Sequence, residues 1–208
     1  MSHSILAISY TWWRGDELPL LPRLPDFRCE RIADVPLLSK LHNLEPAKIE
    51  ARLNDANTAY VAYIEDQPVG YGWSGANSVG VGSMFWPITS PDRGLWDFFT
   101  LEDARGRGVY PQLLQAILRS EQYEAEKFWI GHRVDNYASK RGIEKAGFQQ
   151  VNFVVATPER QIKLVPRGNL ARSHGDPQGR HCGFTQVTDE EMKLFDFGDL
   201  MDGDEPSL

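Results

Sequence analysis

Apolar and polar positions in the first quarter of the chain follow the pattern of two strands and a helix. Residues 5–13 are apolar, aromatic and β-branched, which predicts a short strand, and prolines break the pattern after it. A second strand is predicted over residues 27–32. Asp34 suits a helix N-cap, and helical spacing then runs to Asn54, in two pieces around Pro46.

The middle of the chain changes to the shorter period of strands. Residues 58–64 and 69–73 are two apolar runs around a short turn, which predicts a hairpin. Residues 75–93 are rich in Gly, Ser and Pro and predict a long loop or a distorted hairpin. Residues 94–101 predict a further strand.

The following segment alternates helical and strand patterns. Helices are predicted over residues 111–123 and 136–145, with Gly147 in the position of a helix C-cap. Strands are predicted over residues 128–134 and, as the last one, 150–156. We therefore predict a mixed α/β fold of the α+β class.

Length and composition set the number of domains. The chain has 208 residues, of which 41% are hydrophobic, enough for one well-buried core. We expect an N-terminal lead-in strand and proline-rich link over residues 1–26, the main domain over 27–156, and a C-terminal extension with an acidic tail over 157–208.

Charge narrows the choice of partners. The net charge is -7, and residues 189–208 hold eight acidic residues and one lysine, so the remaining body is formally neutral. Because the sequence shows no basic face, we expect no nucleic-acid partner. The acidic tail is interpreted either as a solvating segment or as a short helix that docks on a neighbouring surface or across a homodimer.

Cysteine and histidine usage indicates neither disulfides nor a metal. Cys29 and Cys182 are far apart in the sequence, and the spacing of His174, His181 and Cys182 fits no closed zinc ligand set. We find no signal peptide and no apolar run long enough to cross a bilayer. We expect a cytoplasmic protein with no metal and no membrane partner.

A glycine-containing loop between a strand and a helix is the main candidate for chemistry. The loop consists of Arg105, Gly106, Arg107, Gly108, Val109 and Tyr110. Glycines let the backbone approach an anion closely, the helix N-terminus adds partial positive charge, and guanidinium groups suit phosphate oxygens. A charged surface turn would have the same sequence, but the Walker and dinucleotide-binding fingerprints are both absent.

Two spaced motifs resemble the GNAT superfamily of acyl-CoA N-acyltransferases. That family's loop is Arg/Gln-x-x-Gly-x-Gly/Ala, and here Arg105 and Gly108 match it while Tyr110 occupies the last position. Residues 136–148 are similar to the family's Asn-x-x-Ser-x-Arg-x-x-Glu-Lys-x-Gly-Phe segment. The resemblance implies a central, mostly antiparallel sheet, flanked by helices, whose fourth and fifth strands splay apart to admit acetyl-CoA or another acyl-CoA.

The resemblance also implies which residues hold the cofactor. Backbone groups of the predicted strand would pair with the pantetheine amides, the loop would bind the pyrophosphate, and the start of the next helix would lie beside the pantetheine and adenosine. Besides the six loop residues, the implied set is Phe99, Thr100, Leu101, Asn136, Ser139 and Arg141.

Acyl transfer to an amine needs a base for the amine and an acid for the departing thiolate. The family's usual acid is a tyrosine, and that position here is Ile143. Tyr110 or Tyr137 could replace it, although tyrosines at helix starts more often serve packing.

Two residues are candidates for the base. Asp97 lies on the strand that enters the loop, and strand alternation places it on the same face as Phe99. Its alternative role is to pair with Arg93 or to remain solvated. His132 lies in a later strand and titrates near neutral pH, with a purely structural role as the alternative.

These observations predict an N-acyltransferase that moves an acyl group, most simply acetyl, from acyl-CoA to an amine of a small molecule or peptide. Two alternatives stay open. Because Ile143 occupies the usual acid position, the chain could be a CoA-binding or regulatory module without catalysis. It could also be an interaction protein that uses its acidic tail.

Overall fold

A computed structural model describes residues 4–81, 84–89, 91–167, 172 and 187–197. In chain order the elements are β1 (Ser4–Trp13), β2 (Phe27–Ile32), α1 (Val35–His42), α2 (Pro46–Asn54), β3 (Asn57–Ile64), β4 (Gln67–Gly75), β5 (Ser78–Val81), β6 (Met84–Pro87), β7 (Arg93–Thr100), a 3-10 turn (Glu102–Ala104), α3 (Val109–Glu121), β8 (Lys127–Arg133), α4 (Tyr137–Lys145), β9 (Gln149–Ala156), β10 (Ile162–Pro166) and α5 (Asp189–Met192). The predicted α+β class is confirmed.

One large sheet organises the molecule. Its strand order is β10-β9-β1-β8-β7-β4-β3-β2, and β5 pairs with β6 in a separate two-stranded sheet. The pairings in the large sheet are antiparallel except for the parallel pair of β7 and β8. The segment predicted as a long loop or distorted hairpin therefore contains the hairpin β5–β6.

The N-terminal strand lies inside the sheet. β1 pairs with β8 through contacts such as Tyr10↔Ile130 and with β9 through contacts such as Ile8↔Phe153. Ile8 and Tyr10 are buried in the largest hydrophobic cluster, and Ala7 is buried on the opposite face against Val81. Burial of both faces of β1 explains its near-continuous apolar run, because a central strand that is covered on both faces exposes neither face to solvent. The local pattern could not reveal these distant partners.

The two faces of the sheet are covered differently. α3 and α4 cover one face, where Leu114, Ile117 and Ile143 belong to the largest hydrophobic cluster. Removing such a fully buried side chain costs about 2–5 kcal/mol, so this face anchors the fold. α1 and α2 cover part of the other face, where Leu38 and Ile49 pack in a second cluster.

The hairpin β5–β6 covers the rest of the second face, directly over β7 and β8. Close approach is possible because two sheet residues are glycines. A Cβ on Gly94 would collide with the carbonyl oxygen of Ser78, and a Cβ on Gly131 would collide with a methyl group of Val81. The hairpin is thus fixed above the line where β7 and β8 meet.

β7 and β8 separate soon after they meet. Their pairing comprises Arg93↔Phe128 and Gly94↔Trp129, and it ends there. On its other side β7 contains a β-bulge, because Trp96 pairs with Trp73 whereas Phe99 already pairs with Tyr71. The strands therefore leave a gap in the middle of the sheet, as the resemblance implied.

The bulge turns the backbone at its centre. Asp97 has φ of +50°, a left-handed conformation that is costly for a residue other than Gly. The ring of Phe98 lies against Gly72, where a Cβ would collide with it. Regular alternation, on which the predicted orientation of Asp97 rested, does not hold through this strand.

The C-terminal part of the described chain corrects one prediction. β9 was predicted as the last strand, but β10 follows it and pairs along it from Ile162↔Ala156 to Pro166↔Asn152. β10 was missed because its apolar run is short and interrupted by Lys163. Farther on, the Phe197 ring lies 5.1 Å from that of Phe153, so residues 187–197 pack on the sheet.

The remaining segments of the extension lie outside the described residues. They include 198–208, which hold half of the acidic residues of the tail, and also His174, His181 and Cys182. In the described ranges no three His, Cys, Asp or Glu side chains are grouped to hold a metal ion. No helix in the same ranges is long and apolar enough to span a membrane.

Candidate functional site

The predicted phosphate loop ends at the N-terminus of α3. Gly106 and Gly108 have φ of +76° and +88°, a conformation that favours glycine, and open space surrounds the position of a Cβ at each. Gly108 is the N-cap residue of α3, and it provides no side-chain cap. The first amides of α3 therefore have no side-chain acceptor at the cap and are available to an anion, which the helix dipole also favours.

A cavity of about 410 Å³, here called the loop cavity, opens at this helix N-terminus. Its lining residues are Phe98, Phe99, Thr100, Ala104, Arg105, Gly106, Gly108, Val109, Tyr110, Pro111, Asn136, Ala138, Ser139, Arg141, Gly142 and Lys145. Arg105, Arg141 and Lys145 give this lining three cationic side chains and no carboxylate. Such a cavity suits a ligand that carries phosphates.

Arg105 is held in place at the mouth of the loop cavity. Its Nε donates to the carbonyl oxygen of Thr100 at 3.2 Å, and its guanidinium carbon lies 5.2 Å from the centre of the Phe99 ring. Its Nη1 also lies 3.5 Å from Glu102 Oε1. These three contacts leave part of the guanidinium fork for a ligand, because Arg has five N–H donors.

Ten of the twelve residues predicted for the cofactor line the loop cavity, whereas Leu101 and Arg107 do not. The Leu101 amide donates to the carbonyl oxygen of Val69 at 2.9 Å, so the sheet already uses it. Arg107 is exposed. Among the lining residues that sequence reasoning missed, Lys145 had a usable signal, because it follows Arg141 by one helical turn.

Tyr110 and Gly142 form a complementary pair. The Tyr110 ring lies over Gly142, where a Cβ would collide with it. Ile143, at the family's usual tyrosine position, is fully buried in the core. The start of α3 thus places a tyrosine ring against α4, and the missing side chain at Gly142 makes room for that ring.

The Tyr110 hydroxyl lies 3.4 Å from Ser139 Oγ. Burial raises the pKa of Tyr110 far above its usual value, so this hydroxyl keeps its proton at neutral pH. Tyr110 lines the loop cavity and also a second cavity, which lies in the gap between β7 and β8.

This second cavity, here called the gap cavity, has a volume of about 420 Å³. Its lining residues are Arg52, Gly80, Val81, Leu95, Trp96, Asp97, Phe98, Tyr110, Ile130, Gly131, His132, Arg133, Asn136 and Ser139. They come from α2, β5, β7, α3, β8 and the start of α4. The loop cavity and the gap cavity share Phe98, Tyr110, Asn136 and Ser139.

Asp97 occupies the bulge in the wall of the gap cavity. Its Oδ2 accepts a hydrogen bond from Arg52 Nη1 at 2.5 Å, and His42 Nδ1 lies 3.6 Å from the same oxygen. Because Trp73 Nε1 donates to His42 Nε2, the His42 proton is on Nδ1 and faces Asp97. Burial by itself would raise the pKa of Asp97, but the hydrogen bonds from His42 and Arg52 outweigh it and hold that pKa below its usual range.

The sequence suggested Arg93 as a partner of Asp97, but in the structure Asp97 pairs with Arg52. Arg93 lies away from it and binds the buried carboxylate of Glu121, with 3.1 Å between Nε and Oε2. Tyr60 also donates to Glu121, at 2.7 Å. This buried network ties the start of β7 to the end of α3, just before the strands diverge.

His132 also lines the gap cavity, and its hydrogen bonds fix its tautomer. Nδ1 lies 2.7 Å from the carbonyl oxygen of Arg133, so Nδ1 carries the proton and Nε2 has the free lone pair. Nε2 lies 3.4 Å from the hydroxyl of Tyr10, which in turn lies 3.2 Å from Glu144 Oε1. Burial lowers the pKa of His132, which keeps the imidazole neutral at neutral pH.

Tyr137, the other predicted acid, lies apart from both cavities. It begins α4, is 58% exposed and belongs to neither lining. Asn136 has a clear local task, since its side chain accepts from the Ser139 amide at 3.0 Å and caps α4. This cap orients the turn of α4 where the two cavities meet.

The family model described as acetyltransferase (GNAT) family matches residues 25–148. This match covers more than half of the chain, so the chain belongs to the GNAT acetyltransferase family. A comparison with curated proteins finds no match.

Solved structures with the same fold have low sequence identity. A GNAT acetyltransferase from Colwellia psychrerythraea is 12% identical with a TM-score of 0.51, over 74% of this chain and 56% of that one. A GNAT-family structure from Novosphingobium aromaticivorans is 13% identical with a TM-score of 0.51, over 74% of this chain and 65% of that one. The chain thus spans less than two thirds of either.

AAC(6')-Ib in complex with ribostamycin and coenzyme A is similar over 65% of this chain and 95% of that one. It is 20% identical, with a TM-score of 0.50. At these identities the comparisons show the shared fold alone.

Proposed function

We propose that this chain transfers an acyl group, most simply acetyl, from acyl-CoA to an amine that binds in the gap cavity. The observation that carries the proposal is the junction of the two cavities. A ligand in the loop cavity and a ligand in the gap cavity would meet at Tyr110, Phe98, Asn136 and Ser139. Family membership supplies the reaction class, and this geometry supports it.

The residues of the loop cavity fit a CoA ligand. Its phosphates would bind at the N-terminus of α3 and the cationic side chains of Arg105, Arg141 and Lys145. When bound, acyl-CoA would supply a thioester that is open to attack by an amine. Beyond Gly94 the backbone of β7 does not pair with β8, so amides on that side can stabilise the oxyanion.

Tyr110 and His132 have the properties needed to move the protons. The half-buried Tyr110 side chain keeps its hydroxyl proton and lies where the cavities meet, so it can donate a hydrogen bond to the sulfur of the departing thiolate. His132 is neutral, with Nε2 unprotonated, and can accept a proton from the amine.

The direct test is to mix the protein with acetyl-CoA and a panel of amines and to measure the free thiol that is released. We expect release that depends on an amine and that falls about 100-fold or more in Tyr110→Phe. Acetyl-CoA binding by calorimetry with no thiol release across the panel would contradict transfer. The buried Ile143 at the usual acid position would then favour a CoA-binding module instead.

A further inference from the structure

Arg52 is the one residue of α2 that lines the gap cavity, and it is held there firmly. Its guanidinium carbon lies 4.9 Å from the centre of the Trp96 ring and 5.5 Å from that of Trp73. Its side chain is 26% exposed, and its Nη1 donates to Asp97 Oδ2. Stacking on two rings fixes the plane of the guanidinium and lowers the entropy lost when it binds a ligand.

Arg52 has donors to spare. Within the described residues its side chain makes one hydrogen bond, to Asp97, out of the five N–H groups that a guanidinium carries. A planar fork with free donors at a cavity wall is the arrangement that binds a carboxylate through two parallel hydrogen bonds.

Asp97 also has a free oxygen at the same wall. Both of its partners, Arg52 Nη1 and His42 Nδ1, face Oδ2, and within the described part of the chain Oδ1 makes no hydrogen bond or ion pair. Its carboxylate is held charged by those partners, which lower its pKa. The cavity wall therefore presents a cation and an anion side by side, each with unused hydrogen-bonding capacity.

The other charges around the gap cavity do not favour a polycation. Asp97 is the only carboxylate in the lining, against the two guanidiniums of Arg52 and Arg133. The rest of the lining includes the apolar side chains of Val81, Leu95, Trp96, Phe98 and Ile130. A cavity of about 420 Å³ is near the lower end of small-molecule sites.

We propose that the amine acceptor carries a carboxylate, which Arg52 binds, and that the acceptor class is amino acids with an apolar side chain. Asp97 Oδ1 receives the acceptor's ammonium group as it enters, and the apolar wall receives its side chain. This inference rests on the proposed acyl transfer and specifies the substrate class of the same site. Arg52 then determines specificity and takes no part in proton transfer.

The test compares three probes that share one side chain: L-phenylalanine, L-phenylalaninamide and phenethylamine. The amide has the less basic amine, so a larger fraction of it is neutral and chemistry alone favours it over the acid. We nevertheless expect kcat/KM to be at least about 10-fold higher for L-phenylalanine, because a charge-assisted hydrogen bond to Arg52 forms only with the carboxylate.

Variants at Arg52 separate recognition from structure. In Arg52→Gln we expect kcat/KM for L-phenylalanine to fall about 10- to 100-fold, mainly through KM, while that for the amide stays within about 3-fold. Arg52→Lys keeps the charge without the planar fork and should lie between. Arg28→Gln is the matched control, because Arg28 also stacks on a ring, that of Tyr63, and pairs with Glu30, but lines neither cavity.

Binding measured by calorimetry with CoA present gives a readout that needs no turnover. The inference is supported if L-phenylalanine binds more tightly than phenethylamine and if this difference is lost in Arg52→Gln. This holds even if no thiol is released, in which case only the proposed acyl transfer fails. Three results would overturn the inference: equal kcat/KM for acid and amide, an equal loss for both in Arg52→Gln, or no binding of the acid. If turnover is seen in any of these cases, the proposed acyl transfer still stands.

Discussion

The loop cavity and the gap cavity have nearly equal volumes, about 410 and 420 Å³, but they are built in different ways. The loop cavity is lined by two stretches of chain, residues 98–111 and 136–145, and backbone geometry at two glycines shapes it. The gap cavity is lined from six elements, with four residues each from β7 and β8 and one or two from each of the others. Under the proposed function, backbone geometry would bind what all acyl-CoA ligands share, whereas side chains from separate elements would select the acceptor.

The largest effect should come from breaking the backbone geometry of the loop cavity. In Gly108→Val the residue must leave its φ of +88°, and the amides of α3 lose their alignment with the phosphates. We expect acetyl-CoA affinity, measured by calorimetry, to fall about 1000-fold, the loss of two charge-assisted hydrogen bonds.

A matched control for this variant is Gly15→Val. Gly15 has φ of +99° and, like Gly108, no atom within 4 Å of a Cβ position, but it lies outside both cavities. Both variants should lose similar stability. Equal loss of acetyl-CoA affinity in both would show that the loop geometry has no special role in binding.

Removing the Tyr110 hydroxyl, where the two cavities meet, should lower kcat and leave acetyl-CoA affinity nearly unchanged. Tyr110→Phe keeps the ring over Gly142 and removes only the hydroxyl, so acetyl-CoA affinity should change less than about 3-fold while kcat falls about 100- to 1000-fold. Tyr137→Phe, at the exposed start of α4, should leave kcat unchanged. A reversed result would assign the acid to Tyr137.

A base in the gap cavity should appear in the pH dependence. Because burial lowers the pKa of His132, its neutral form persists as pH falls below about 6.5, the ordinary histidine value. We expect kcat to decline only below that pH, and His132→Gln to remove this decline and lower kcat about 100-fold at pH 7. The same shift should make the free energy of unfolding decrease as the pH falls below about 6.5, because the unfolded chain then binds the proton more readily than the folded one. An unchanged profile in the variant would exclude His132 as the base.

The fit of Tyr110 against Gly142 links the cavities through packing. Gly142→Ala places a methyl group where the Tyr110 ring lies, so we expect a loss of about 1–3 kcal/mol in the free energy of unfolding, measured with urea. In a Tyr110→Ala background the same change should cost nearly nothing, because the ring is gone. Additive losses would show that the two residues do not compensate each other.

The smallest effect should come from a contact far from both cavities. Lys163 Nζ lies 2.5 Å from Glu191 Oε1, and hydrogen bonds from Lys163 and Thr188 lower the pKa of Glu191 to about 2. The stabilisation should be present at neutral pH and vanish as pH falls from about 4.5 towards 2. Glu191→Gln should speed hydrogen exchange in residues 187–197 without changing kcat. Slower exchange in the variant would argue against a stabilising role of the Lys163–Glu191 pair.

The contrast between the cavities also explains what the sequence could predict. The loop cavity follows from two motifs, each contiguous in the sequence, so the residues around Gly108 and Asn136 could be named in advance. The Asp97–Arg52–His42 group could not, because a β-bulge and two helices distant in sequence bring it together. β10 was too short to recognise, and the central place of β1 depends on partners more than a hundred residues away.

The place of β1 between β8 and β9 has a consequence for synthesis of the protein. β1 leaves the ribosome early, but its first partner begins only at Lys127. At translation speeds of about 5–20 residues per second, this apolar strand waits on the order of ten seconds without either neighbour. During that interval the strand can pair with other chains. Co-expression of chaperones should therefore strongly raise the yield of soluble protein.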